Sequence, residues 1–168
     1  IAEAARRLAG GGVAFAAFFR GRGEPDPTQY QQWEVAGYPR ETFQHLDSLH
    51  ITPLFEPTFR GRGSVRSDDV RGHPLFRGLP EGHVSVVSYL AVPVVSRAGQ
   101  ALGAILLGHP EPGEFDEHVQ AQVESLARQA SDCLEPGVYD VAHRIALEDG
   151  TTALATKLQI HDHRETVL

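Results

Sequence analysis

Cysteine, methionine, asparagine and lysine are nearly missing from this chain of 168 residues. Cys133 is the single cysteine, so no intrachain disulfide forms and a four-cysteine zinc site is excluded. A reducing, cytoplasmic compartment is the matching expectation. Methionine and asparagine do not occur, and Lys157 is the one lysine among 15 basic residues. That bias towards arginine, alanine and glycine goes with GC-rich bacterial genomes. The chain begins without methionine and nothing at its start resembles a signal peptide, so it reads as a piece of a longer protein. No apolar run approaches the roughly 20 residues that span a bilayer, which argues against a membrane partner. With a net charge of −7, the clustered Lys and Arg of a nucleic-acid surface are missing too.

What is present is ordinary for a soluble globular domain: 41% hydrophobic and 22% charged residues, in a length that suits one core plus a short appendage. "IAEAARRLA" is a good helix former, stopped by Gly10-Gly11-Gly12. "VAFAAFFR" (Val13 to Arg20) reads as a largely buried strand, "GRGEPDPT" as a break, and "YQQWEVA" (Tyr30 to Ala36) as an alternating strand. The two strands form a hairpin with a long loop. "PRETFQHL" suits a short helix with Pro39 in its first turn. From Asp47 to Gly82 the chain is rich in Pro, Gly, Arg and Asp. A loop of that length is usually functional or disordered. Its embedded Leu54, Phe55, Phe59, Val65, Val70, Leu75 and Phe76 point to an ordered lid over a pocket.

Val84 to Ser96 and Ala101 to Gly108 are β-rich runs around the turn Arg97-Ala98-Gly99-Gln100. Their apolarity suggests central strands, although Pro93 cannot donate to a ladder and prefers an edge or a bulge. Asp116 is placed to cap a helix running to Glu135. Val119, Val123, Leu126, Ala130 and Cys133 follow a 4-3-4-3 spacing, which serves either helix pairing between copies or packing on the chain's own sheet. Pro136-Gly137 ends that helix. "VYDVAHRIALE" fits a helix, the favoured reading, while Asp149-Gly150 between "RIALE" and "TTALATKLQI" is a hairpin signal. The elements together give an antiparallel sheet with helices on a face, an α+β domain.

"TPLFEPTFRGRGSVRSDDVRGHPLF", "SYLAVPVVSRAGQALGAILLGHPEPGEFDEH" and the phenylalanine pair of "AAFF" resemble the GAF domains of bacterial sensor histidine kinases and related signalling proteins, phosphatases included. The resemblance covers residues 1–135, leaving 136–168 as a C-terminal extension or linker towards an absent output module. It implies an antiparallel sheet of about six strands, with helices on one face and a loop-covered ligand cavity on the other. It also implies a regulatory sensor that binds a small molecule, and terminal helices that pair two copies into a homodimer and relay the signal. The alternatives are a ligand-free dimerisation and relay module, and an enzyme like the branch that reduces free methionine sulfoxide. Departures from the family bear on the ligand. Cys133 lies in the last helix, so a covalent bilin is not expected. Phe115-Asp116-Glu117 echoes the end of a cyclic-nucleotide motif whose asparagine is missing. The sulfoxide-reducing branch works through several cysteines, and this chain has one.

Arg66, Asp68 and Asp69 in "VRSDDV" are candidate ligand-orienting groups, since an arginine fork grips a carboxylate or phosphate. Equally, an aspartate there caps a turn or pairs with Arg66 to hold the lid. Phe55, Phe59, Phe76, Trp33 and Tyr89 are candidate pocket-lining aromatics or plain core, and Ser88 and Tyr89 offer hydroxyls. His83 is the candidate axial ligand for a haem; His73, His83 and His109 show no metal-ligand spacing and read equally as loop histidines. His161-x-His163 reads as a solvated tail. Gly21-Arg22-Gly23 and Gly61-Arg62-Gly63 are turns, since neither completes a phosphate-binding glycine motif. No G-x-S-x-G occurs and nothing pairs a nucleophile with a base, so no catalytic residue is expected.

Overall fold

A computed structural model describes residues 1–10, 15–20, 32–43, 53–79, 81–134, 143–146 and 152–155. Helix α1 (Ala2–Leu8) is followed by strands β1 (Phe15–Arg20) and β2 (Gln32–Ala36) and a 3-10 turn at Arg40–Phe43. The lid segment then holds α2 (Glu56–Phe59), β3 (Val65–Ser67) and a second 3-10 turn at Val70–Gly72. Strands β4 (Ser88–Val95) and β5 (Ala101–His109), then helix α3 (Glu117–Leu134), complete a first unit, Ile1–Leu134. The second unit, Glu135–Leu168, contains strands β6 (His143–Ala146) and β7 (Thr152–Ala155).

The fold is α+β, built on an antiparallel sheet of order β2-β1-β5-β4-β3. Five strands belong to this sheet among the described residues, close to the expected six. The two apolar runs sit at its centre as β5 and β4, joined by a turn in which Gly99 takes φ +83° and Ser96 N–H donates to Gln100 O. Pro93 fits because β3 pairs only with Tyr89 to Ala91, so that edge of β4 is unpaired at position 93. The register opposite β5 runs on through Pro93 and Ala104.

Side chains alternate across the sheet, and each face has its own core. On one face Ala16, Phe18, Leu90, Val92, Ile105 and Leu107 pack with Ala2 and Ala5 of α1 and Val123, Ala127 and Ala130 of α3. On the other face Ala17, Phe19, Tyr89, Ala91, Ala104 and Leu106 pack under the lid residues Leu54, Phe59 and Val70. The 4-3-4-3 stripe of α3 is therefore used on its own sheet: Val119, Val123, Leu126 and Ala130 join the helix-side core, while Cys133 is exposed. Asp116 caps α3 as expected, its Oδ1 accepting from Val119 N–H at 2.8 Å. Gly10, at φ +91°, follows the end of α1.

The lid is ordered around its apolar residues, with Phe55, Val65 and Phe76 half-buried against the cluster. Leu75 departs from the expectation and is exposed. Strand β3 is too short for its alternation to stand out in sequence. In the second unit the favoured helix over "VYDVAHRIALE" is corrected: β6 pairs antiparallel with β7, from His143 opposite Ala155 to Ala146 opposite Thr152. The Asp149-Gly150 hairpin signal itself lies outside the described residues. Gly11-Gly12, the loop at 21–31 with Tyr30, residues 44–52, Pro136-Gly137 and the His161/His163 tail lie outside the described residues.

Gly108 has a defined packing role. It sits opposite Phe15, and a Cβ added there would collide with the Phe15 ring and crowd Val86. Phe15 is itself placed edge-on to Tyr38 and His83, at centroid distances of 6.4 and 5.9 Å. Gly108→Ala is expected to cost about 1–3 kcal/mol by overpacking. In a urea-denaturation double-mutant cycle, Phe15→Leu should relieve part of that cost; strict additivity would show that the ring is not the obstacle.

Candidate functional site

The alternation of β4 separates two neighbouring hydroxyls. Ser88 lies opposite His109 and is fully buried; its Oγ donates to Glu111 O at 2.7 Å, and His109 Nδ1 accepts from Glu111 N–H at 3.1 Å. Ser88 thus fastens the turn between β5 and α3. Tyr89 belongs to the lid-side cluster, opposite Ser67 on β3 and Gly108 on β5. It is only 4% exposed, and its Oη is the one buried side-chain polar atom without a hydrogen-bond partner among the described residues. Burial pushes its phenol well above the usual range, so the hydroxyl stays protonated. The surrounding cluster is apolar: Phe55 tilts over the Tyr89 ring at 5.0 Å, and Phe19 meets Phe59 edge-on at 5.9 Å. Small residues Ala17, Ala91 and Ala104 floor the layer.

The charged candidates are placed elsewhere. Arg66 pairs in register with Leu90, a helix-side position, and reaches the start of α3. Its Nη1 donates to Phe115 O at 3.1 Å, its Nε donates to Gln120 Oε1 at 3.2 Å, and Glu117 lies 3.9 Å from Nη2. Asp68 is 3.7 Å from Arg66, and its backbone oxygen accepts from Gly113 N–H. Asp69 caps the 3-10 turn, accepting from Arg71 N–H and from the Arg71 guanidinium, which holds its carboxyl below the usual range. This is the turn-capping and lid-holding arrangement of the two sequence readings. His83 lies beside Phe15, with Nδ1 2.7 Å from Val84 O. Among the described residues no cluster of His, Cys, Asp or Glu could hold a metal ion.

Sequence reasoning missed the contacts that tie the lid to α3. Ser64 Oγ donates to Glu124 Oε1 at 2.7 Å across 60 residues, and Gln120 Nε2 donates to the same oxygen at 3.0 Å. Gln120 and Glu124 are one helical turn apart, which in sequence looks like any solvated helix face. Together with Arg66 they form a polar latch between β3 and the first turns of α3.

Glu124 gives the latch a pH signature. Hydrogen bonds from Gln120 and then Ser64 hold its carboxyl below the model-compound value of 4.5, against a smaller desolvation effect. A carboxyl depressed in the folded state contributes stability above its unfolded pKa and loses it as pH falls through the folded one. Glu124→Gln keeps an acceptor for Ser64 but removes the titration. Below pH 4.5 the wild-type chain should therefore lose stability more steeply than Glu124→Gln, by a modest amount because the group is mostly solvated. Parallel acid limbs in denaturation would show that the latch is not charge-assisted.

Comparison with known proteins agrees with this architecture. The GAF domain profile matches residues 1–135, and no curated protein matches the chain. A type II free methionine-R-sulfoxide reductase from Thermoplasma acidophilum superposes with a TM-score of 0.56 at 16% identity, over 78% of this chain and 86% of that one. The GAF domain of an Acinetobacter phosphoenolpyruvate-protein phosphotransferase gives 0.54 at 17% identity, over 78% and 77%. A domain of a putative two-component sensor histidine kinase from Sinorhizobium meliloti 1021 gives 0.54 at 14% identity, over 78% and 83%. No helix among the described residues is long and apolar enough to cross a membrane. The structural likenesses speak for the fold, and the profile, spanning residues 1–135, settles the family: this chain belongs to the GAF domain family.

Proposed function

We propose that this domain is a regulatory sensor of a bacterial cytoplasmic signalling protein, in which a small molecule bound between lid and sheet changes the lid's hold on α3. The observation that carries this reading is the buried, unpartnered Tyr89 hydroxyl in the lid layer. Leaving such a group without a partner costs about 1–3 kcal/mol, a cost that a bound molecule supplying the partner removes. The latch gives the signal a way out, because β3 pairs with Tyr89 through Ser67 and grips α3 through Ser64 and Arg66. A ligand shifts that arrangement only if it binds one lid position better than another.

The domain is read as non-catalytic. Cys133 is exposed on α3, whose buried positions join the helix-side core, so the sheet lies between it and the lid layer. Reduction of a sulfoxide through thiols needs a second thiol to close the disulfide, and the chain has one cysteine. A ligand-free relay module is the second reading, favoured by the dense packing of Leu54, Phe59, Val70 and Leu106 under the lid. In both readings two copies pair through the outer faces of α1 and α3.

A native mass spectrum of the freshly purified chain separates them. Added mass that is reduced in Tyr89→Phe supports the sensor; a clean spectrum favours the relay. Once stripped of ligand by refolding, Tyr89→Phe should be about 1 kcal/mol more stable than wild type in urea, because it deletes an unsatisfied buried hydroxyl. Equal or lower stability would mean that the hydroxyl already has a partner.

A further inference from the structure

We infer that the lid site takes an uncharged, largely apolar ring compound carrying one carbonyl-type hydrogen-bond acceptor, which Tyr89 Oη holds; the inference rests on the sensor reading above. Charge is the first argument. The Asp, Glu and Arg residues at 53–79 other than Arg66, and Glu81, are exposed. Arg66 is turned to α3, Asp69 and Arg71 pair with each other, and Arg60 pairs with Glu56 on the exposed side of α2. An anion entering the lid layer would leave water without a counter-charge from Arg60, Arg66 or Arg71, and burial of an unpaired ion is strongly unfavourable.

Shape and polarity supply the second argument. Phe55 packs on Tyr89 and Phe59 on Phe19 in a cluster with small Ala17, Ala91 and Ala104, aromatic and apolar surroundings of the kind a ring compound matches. Among the described residues Tyr89 Oη is the one buried side-chain polar atom without a partner, and a phenol O–H donates. The matching molecule brings one acceptor and buries the rest of its surface.

Three probes of similar size test this on the full chain: acetophenone, ethylbenzene and benzoate. Binding is read from chemical-shift changes of lid amides, in wild type and in Tyr89→Phe, which is expected to fold at least as well. Acetophenone should bind wild type about tenfold more tightly than Tyr89→Phe, the worth of one buried hydrogen bond. Ethylbenzene should bind both alike, and benzoate should bind more weakly than either. The inference is overturned if benzoate binds best, if acetophenone is indifferent to Tyr89→Phe, or if no probe binds. A charged molecule found on the purified chain by mass would also overturn the ligand class while leaving the sensor reading standing. A clean mass spectrum with no probe bound would remove both.

Discussion

The register of β4 against β5 decides which residues of this domain can meet. With Tyr89 opposite Gly108 and Leu90 opposite Leu107, each successive side chain is committed to a different core. One core holds α1 and α3 against the sheet, and the other holds the lid. A one-residue slip would move Leu90 and Val92 under the lid and drive Tyr89 into the helices, so the burial of both faces fixes the pairing. Gly108 reinforces it, because the Phe15 ring occupies the space a side chain there would need.

Given that register, the lid is attached by two unlike kinds of contact. Its apolar residues Leu54, Phe59 and Val70 are buried on the sheet, which holds it down without direction. Direction comes from polar contacts at the sheet edge: Val70 N–H to Val87 O, Ser64 to Glu124, and Arg66 to Gln120 and Phe115 O. The side-chain contacts among these are partly solvated and individually modest. The lid is thus held by a non-directional apolar layer and tied to α3 by directional contacts.

Much of the scaffold was legible in the sequence for simple reasons. The run from Ser88 to His109 is too apolar for a half-exposed hairpin, the Arg97 to Gln100 turn is conspicuous, and Asp116 is an ordinary helix cap. The two-fold alternation of a strand also separates Ser88, which bonds Glu111 O, from Tyr89 in the lid-side cluster. Strand β3 was hidden because three residues, Val65 to Ser67, carry no periodicity of their own; only pairing with β4 makes them a strand. The latch was hidden for a different reason: Ser64 and Glu124 stand 60 residues apart, and nothing local marks either one. The stripe of valines and alanines in "VYDVAHRIALE" is compatible with both periods, and the β6–β7 pairing takes the extended one at 143–146.

The placement of Arg66 shows why motif spelling is a poor guide to ligand chemistry on a shared scaffold. "VRSDDV" has the composition of an anion site, an arginine beside two carboxylates. On a strand, however, Arg66 and Ser67 face opposite ways, and pairing with Leu90 sends the arginine to the helix side. There it satisfies Phe115 O and Gln120, while Asp69 is occupied by Arg71. The strand geometry turns Arg66 to the helix side, while the Tyr89 hydroxyl is buried without a partner among the described residues. Where Arg66 ends up follows from parity along β3 and β4 more than from the composition of the motif.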